Sequence, residues 1–386
     1  MTYTFDELKK FMDRATTSMY DVPGADCKVF YKGKEVFRYT TGYADKENNI
    51  PLTKDHYFYI YSASKVILSV AGMQMIERGL FLPFDPVQKF LPFIGKMKYK
   101  CIENGETVLK EVGDTMKIQD LFSMSAGFTY NIWDCPPLKK LIEQKPNANT
   151  EEVLKAFCEV PLEFEPSKGY LYSMSHDVLA LVIEKVSGKK FSEYVEENIF
   201  KPLGMKAYYH LNDEIKSKMA TLYYRDDKQE KTLKNEQRNG FIITDNYDSG
   251  GAGVITNVDE YSKLAYALAN GGVGENGNKI LHKRTINLMR TNVLDKNRLN
   301  IYKGVHTNGN AQGYGYGFGV KVKMGEERNG NLSSIGEFGW DGAAGFFVSI
   351  EPENELAIVY AQHMLNPHNF DHHQRIRNFV HLALDI

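Results

Sequence analysis

The sequence has little of what marks a specialised class of protein. Its four cysteines (Cys27, Cys101, Cys135, Cys158) are far apart, with no Cys-x-x-Cys pair. That excludes a disulfide-stapled scaffold and a dithiol redox centre, and leaves buried thiols in a reducing cytoplasm as the expectation. No run approaches 18 apolar residues, so no membrane span is expected. Neither sign of charge dominates: 47 basic residues face 49 acidic ones, a net charge of -2. Such a surface offers nothing to nucleic acid or an anionic membrane. The basic-looking 228–238 stretch also holds Glu230 and Glu236, and reads as a solvated hairpin or loop. The start, MTYTFDELKKFMDRA, lacks the basic and apolar regions of a secretory leader, so a cytoplasmic location is expected. There is no His-Glu-x-x-His. His368, His372 and His373 lack a carboxylate partner and read as a surface cluster rather than a zinc site. No metal or organic cofactor is implied. Gly-x-Ser-x-Gly is absent too, which removes the nucleophile elbow of an α/β-hydrolase.

What is present is an ordinary globular composition, 42% hydrophobic over 386 residues, enough for one large unit or two domains. Thr4-Phe5-Asp6-Glu7 reads as a capping box opening an amphipathic helix, with Phe5, Leu8, Phe11 and Met12 on one face. Two β-type runs, 26–31 and 35–42, flank Lys32-Gly33-Lys34 and predict a hairpin. A helix follows over 62–78, then a loop-rich passage from Phe84. From 118 to 272 the pattern is mainly helical, with helices near 151–158, 176–186, 191–199 and 259–270. Strands return at 317–323, 332–338, 345–350 and 355–363, and a helix closes the chain at 375–384. Sheet material at both ends and helices between predict an α/β fold of the α+β type: an antiparallel sheet built from both termini, flanked by helices, with a large helical insertion. The expected division is a sheet domain of 1–80 and 300–386 and a helical domain of 81–299, with the active site where they meet.

The chemistry centres on Ser62-Ala63-Ser64-Lys65. On a helix, Lys65 lies one turn from Ser62 on the same face. A serine hydroxyl is a weak nucleophile, and a lysine amine at that distance is a base for it. The helix N-terminus favours both the neutral amine and a developing alkoxide. A second Ser-x-x-Lys, Ser187 to Lys190, closes an apolar helix ahead of Gly188, and a helix C-terminus repels negative charge. Spacing alone therefore does not identify a nucleophile. Two further segments are candidates for the proton carrier and oxyanion site a Ser-Lys pair needs, against the plainer readings of a packing tyrosine and of a β-bulge or tight turn. Tyr172-Ser173-Met174 precedes a helix and offers a phenol as proton carrier. Gly342-Ala343-Ala344-Gly345 permits close backbone approach and offers an N–H for an oxyanion.

Taken in order, these segments resemble the serine β-lactamase-like superfamily: class C β-lactamases, DD-peptidases, family VIII carboxylesterases and related transacylases. Ser62-x-x-Lys65 corresponds to its first motif, and 116–127 (MKIQDLFSMSAG) resembles its "ITIRHLLTHTSG" segment. Tyr172-Ser173-Met174 corresponds to Tyr-x-Asn, 199–205 to "IFEPLGM", and 249–253 to its Gly-rich segment. Trp340-Asp341-Gly342 falls where lactamases carry Lys-Thr-Gly and many esterases Trp-Gly-Gly. The resemblance spans roughly residues 5 to 384. It implies Ser62 as nucleophile, Lys65 and Tyr172 as the proton-transfer pair, and the N–H groups of Ser62 and Ala343 as the oxyanion hole.

Two departures shape the expected substrate. Met174 stands where the family has an asparagine that hydrogen-bonds the lysine and a lactam side chain. Trp340 and Asp341 stand where a basic residue would greet a substrate carboxylate; an acid facing the site would repel it. Both favour a small-molecule ester or amide with a neutral acyl or alcohol group, with Tyr130, Trp133, Trp340, Gly342, Asp341 and Met174 as substrate-binding candidates. The sequence reading is a serine hydrolase cleaving carboxylic esters. A β-lactamase or DD-peptidase, an acyltransferase with the same site, and a binding or sensing protein with a retired site are the alternatives.

Overall fold

The computed structural model describes residues 3–226, 228, 230–305, 311–325, 330–366 and 369–386, with the backbone alone at 369 and 370. Its centre is an eight-stranded antiparallel sheet. The strands are β1 (Gly24–Tyr31), β2 (Lys34–Asp45), β3 (Ile50–Pro51), β4 (Tyr314–Tyr316), β5 (Lys321–Lys323), β6 (Phe338–Asp341), β7 (Phe347–Glu351) and β8 (Leu356–Ala361). They lie in the order β4-β5-β6-β7-β8-β1-β2-β3. The join between the two ends of the sequence is the β8–β1 pair, running from Asp26 opposite Ala361 to Tyr31 opposite Leu356. Lys32 and Gly33 both have positive φ, 49° and 76°, the tight turn that matches strand twist in the β1–β2 hairpin.

Five helices place the sheet and the site: α1 (Asp6–Arg14), α2 (Ser64–Glu77), α3 (Ser175–Ser187), α4 (Val258–Ala269) and α5 (Asn369–Leu384). Helices α1 and α5 cover one face. Phe5, Leu8, Phe11 and Met12 pack with Ile376, Val380 and Leu384 over Cys27, Val29, Ile358 and Tyr360. These strand residues alternate along β1 and β8, as a half-covered strand requires. Helix α4 packs on β8, β7 and β1 in the larger core on the other face. Helix α2 is buried from Ser64 through Met75. A helix apolar on all sides belongs in an interior, and α2 is the axis of that core. Among the described residues no helix is long and apolar enough to cross a membrane.

The antiparallel sheet built from both ends and flanked by helices agrees with the sequence reading, and the structure corrects it in four places. The expected capping box does not form: Phe5, packed on Phe37 with ring centroids 4.8 Å apart, occupies the N-cap without a side-chain bond. The passage after Phe84 contains a hairpin, Lys98–Glu103 with Glu106–Glu111, turned at Asn104-Gly105. The strand expected at 332–338 begins instead at Phe338. His372 and His373 are not a surface cluster. Both lie on the buried face of α5, where His372 Nδ1 is 2.9 Å from Gln362 Oε1 and the His373 ring stacks on Phe347. His368 lies outside the described residues. All four cysteines are free, Cys101 partly exposed and the other three buried.

Candidate active site

Ser62 sits in a 3-10 turn, Tyr61–Ala63, that runs directly into α2. The turn is entered through a strained residue: Tyr61 has φ of 45°, a region that costs a non-glycine residue about 1–2 kcal/mol. The surroundings hold it there. Tyr261 donates to the Ala63 carbonyl (2.8 Å), Ser64 Oγ accepts from the Val254 N–H (3.1 Å), and the Tyr61 ring is buried against Phe241. The sharp entry leaves Ser62 partly accessible while its neighbours Tyr61, Ala63 and Ser64 are buried.

Lys65 points back along the first turn of α2. Its Nζ is 3.1 Å from Ser62 Oγ, 2.8 Å from Tyr130 Oη and 2.8 Å from the Gly251 carbonyl. It also lies 4.8 Å from the centre of the Tyr172 ring. Burial with a carboxylate only at second remove pushes its pKa down to about 7, with Asp177 pulling the other way. A neutral amine has two hydrogens and one lone pair. Gly251 and Tyr130 can take the two hydrogens, and the lone pair is then free for the Ser62 proton.

Tyr172 lies in the loop before α3, as the sequence implied. Its hydroxyl hydrogen-bonds Ser62 and accepts from Trp340 Nε1 at 3.0 Å, and the two rings stack. Burial raises the Tyr172 pKa far above an ordinary phenol, against the pull of Ser62 and Trp340. It is therefore a neutral hydroxyl at physiological pH, and Lys65 is the group poised to accept a proton. The sequence treated Tyr130 only as a pocket wall. The structure puts its hydroxyl on Lys65, and burial keeps it neutral as well.

Met174 itself is a correction. It is buried at the start of α3, its N–H on the Thr129 carbonyl, and packs in the core rather than facing a substrate. Asp341 is a second. Strand alternation turns it to the face opposite Trp340, where it pairs with Lys321 (3.1 Å) and faces His373 of α5. Despite burial, Lys321 and then His373 hold the Asp341 pKa down at about 2. Its charge is neutralised there by Lys321, on the other face of β6 from the Trp340 ring.

Gly342 begins the turn after β6. A Cβ built there would lie 2.2 Å from the Ile60 carbonyl oxygen, so only glycine lets this turn seat against the chain entering Ser62. Ala343 follows in an exposed turn, and its N–H has no hydrogen-bond partner among the described residues. We expect Gly342→Val to displace this turn and to cut kcat by roughly 100-fold or more, the scale measured when a backbone or side-chain donor next to a reacting carbonyl is lost. Steady-state kinetics would check this: a larger effect on KM than on kcat would contradict it.

Trp133 stands one ring further out. It is 58% exposed and packs on Phe241, which in turn packs on Tyr130. Beside it is an open groove of about 470 Å³ lined by Ile132, Leu138, Ile142, Ile242 and Ile243, with Arg238 at its edge. Ser187, the other Ser-x-x-Lys serine, closes α3 ahead of Gly188, whose φ of 70° ends the helix. No His, Cys, Asp and Glu group among the described residues is arranged to hold a metal.

A mixed α/β fold around a large antiparallel sheet flanked by helices is the fold of the β-lactamases and penicillin-binding-protein homologues. The chain belongs to the Beta-lactamase family, whose model matches residues 6–382. Protein Rv1367c of Mycobacterium tuberculosis is 22% identical, over 87% of this chain and 84% of its own. Esterase EstB of Burkholderia gladioli is 26% identical over 47% of this chain and 46% of its own. Among solved structures, EstCE1, described as a hydrolase with promiscuous acyltransferase activity, has a TM-score of 0.78 at 22% identity. That match covers 97% of this chain and 98% of EstCE1.

Proposed function

We propose that this serine hydrolase cleaves carboxylic esters through an acyl-enzyme on Ser62. The Lys65 amine takes the Ser62 proton as Oγ attacks the ester carbonyl. The N–H groups of Ser62 and Ala343 hold the resulting oxyanion. Collapse breaks the C–O bond, and the leaving alkoxide takes the proton back from Lys65 through the Tyr172 hydroxyl. Water then repeats the sequence on the acyl-enzyme, yielding the acid and restoring Ser62. An alcohol in place of water gives transfer rather than hydrolysis by the same steps.

The observation that carries the ester reading is Trp340. It stands where a lactam or peptide carboxylate would need a cation, its indole N–H is directed to Tyr172, and Lys321 nearby is paired with Asp341. The walls around Ser62 and Lys65 are neutral aromatic rings: Tyr130, Tyr172, Trp340 and Phe241. The names of the esterase EstB and the hydrolase EstCE1 support the same reading.

A panel of p-nitrophenyl esters of increasing chain length, run beside a chromogenic cephalosporin, tests it. The esters should turn over and the cephalosporin should be slower by orders of magnitude; the reverse preference would sink the proposal. The groove beside Trp133 suits the apolar end of the longer esters. Trp133→Ala should raise KM roughly tenfold for the longest esters, the scale of about 1.4 kcal/mol of apolar contact, and leave the acetate unchanged. A uniform effect across the panel would remove the groove from substrate binding.

A further inference from the structure

We propose that Asp177 is a positioning residue for acyl transfer, fixing the 247–251 segment so that its backbone holds Lys65 and serving as the buried counter-charge to the lysine. This rests on Lys65 acting as the base of the proposed reaction.

Asp177 lies in the first turn of α3 and is fully buried. Every partner of its carboxylate is a donor. Tyr247 Oη donates at 2.7 Å and Ser249 Oγ at 2.8 Å, both to Oδ1, and the Gly251 N–H donates as well. Burial pushes the Asp177 pKa up, and Tyr247, Lys65, Ser249 and the Gly251 N–H pull against that rise. Among the described residues the carboxylate meets three donors and no acceptor, the coordination that favours its ionised form. The three come from one short stretch of chain, so the carboxylate clasps it. Ser249 in turn accepts from the Ala252 N–H (3.1 Å), and Asn239 donates to the Ala252 carbonyl (2.8 Å). The end of this clasp is the Gly251 carbonyl that receives Lys65.

The space between the two charges is also shaped by residue 251. A Cβ built on Gly251 would lie 2.8 Å from Asp177 Oδ2, 3.4 Å from Lys65 Nζ and 3.4 Å from Tyr130 Oη. Acid, amine and phenol thus converge on one point, kept open because residue 251 has no side chain. When Lys65 takes the serine proton it becomes an ammonium in a dry site, and Asp177 is the anion there to stabilise it. The other titratable groups facing Lys65 cannot do so. Tyr130, Tyr172 and Tyr247 are neutral phenols, and burial pushes the pKa of His176, behind Lys65 on α3, down to about 3. Asp341 is on the far side of β6 with Lys321.

The test is the rate of covalent labelling by a fluorophosphonate against pH, which needs no knowledge of the natural ester. Wild type should label with an acid limb near pH 7, where Lys65 loses its proton. Asp177→Asn should slow labelling at least tenfold and move the limb about one pH unit lower, because removing the anion makes the ammonium easier to deprotonate. Gly251→Ala, which keeps the carboxylate but wedges a methyl between the charges, should move the limb in the same direction. It serves independently if Asp177→Asn does not fold by circular dichroism. A limb that stays put in both variants, whatever happens to the rate, reduces Asp177 to a structural role and overturns the inference alone. Absence of labelling in wild type would overturn the inference and the Ser62 mechanism together.

Discussion

Lys65→Met should abolish ester turnover and at the same time make the protein more stable below neutral pH. The loss of activity follows, on the proposed mechanism, from removing the amine beside Ser62 whose pKa, about 7, lets it accept a proton; a drop on the order of 10⁴-fold is the scale for losing a member of a catalytic unit. The gain in stability follows from the same shift. Burial lowers the folded-state pKa from 10.5 to about 7. Between those values the unfolded chain holds a proton that the folded chain lacks, so stability falls as pH drops from about 10 to 7 and is flat below. At about 1.4 kcal/mol per pKa unit the penalty below pH 7 is on the order of a few kcal/mol. Against it stand the hydrogen bonds to Tyr130 and Gly251, each worth about 1 kcal/mol net. The penalty is larger, so the methionine variant should melt higher at pH 6, with the gap closing as pH rises towards 10. Thermal melts of both proteins across pH 5–10 check this, and a gap that widens with pH would contradict it.

Ser62→Ala should leave the fold and substrate affinity nearly unchanged while turnover falls by about 10⁴-fold or more. The side chain is small and partly exposed, and its bonds to Lys65 and Tyr172 do not build the core. Mass spectrometry gives the sharpest reading. Wild type quenched during turnover should carry one acyl group on the peptide holding Ser62, and the variant none. An acyl group on the Ser187 peptide, or acylation surviving in Ser62→Ala, would place the nucleophile elsewhere.

The residues read from sequence and those it missed differ in a physical way. Ser62, Lys65 and Tyr172, which the structure brings together, were legible as candidates because each lies in a short segment that resembles a family motif, in the family's order; the one-turn spacing alone did not single them out. Asp177, the Gly251 carbonyl and the Tyr130 contact to Lys65 were not legible. A buried aspartate on an apolar helix is a signal, but its partners come from a loop seventy residues away and have no spacing to read. The errors have local causes too. His372 and His373 look like surface residues by composition, yet α5 rolls them onto Phe347 and Gln362. Asp341 looked like a ligand contact until alternation along β6 sent it to the far face. The hairpin at 98–111 had a readable Asn-Gly turn, but its strands are mostly polar and give no apolar stripe.

The order of the sheet has a consequence for biosynthesis. Strand β8 sits between β7 and β1 and is the seam that joins the two halves. On a ribosome, β1, β2 and helix α2 emerge well before β8, and β1 has an open edge until that much later strand is made. The turn at Gly342 that seats on Ile60 is also late. The nucleophile is thus synthesised long before the backbone that completes its site, and throughout that interval an apolar strand edge is available to a chaperone or to another nascent chain. Folding of this protein should be slow and dominated by sequence-distant contacts, and the active site should be among the last features to form.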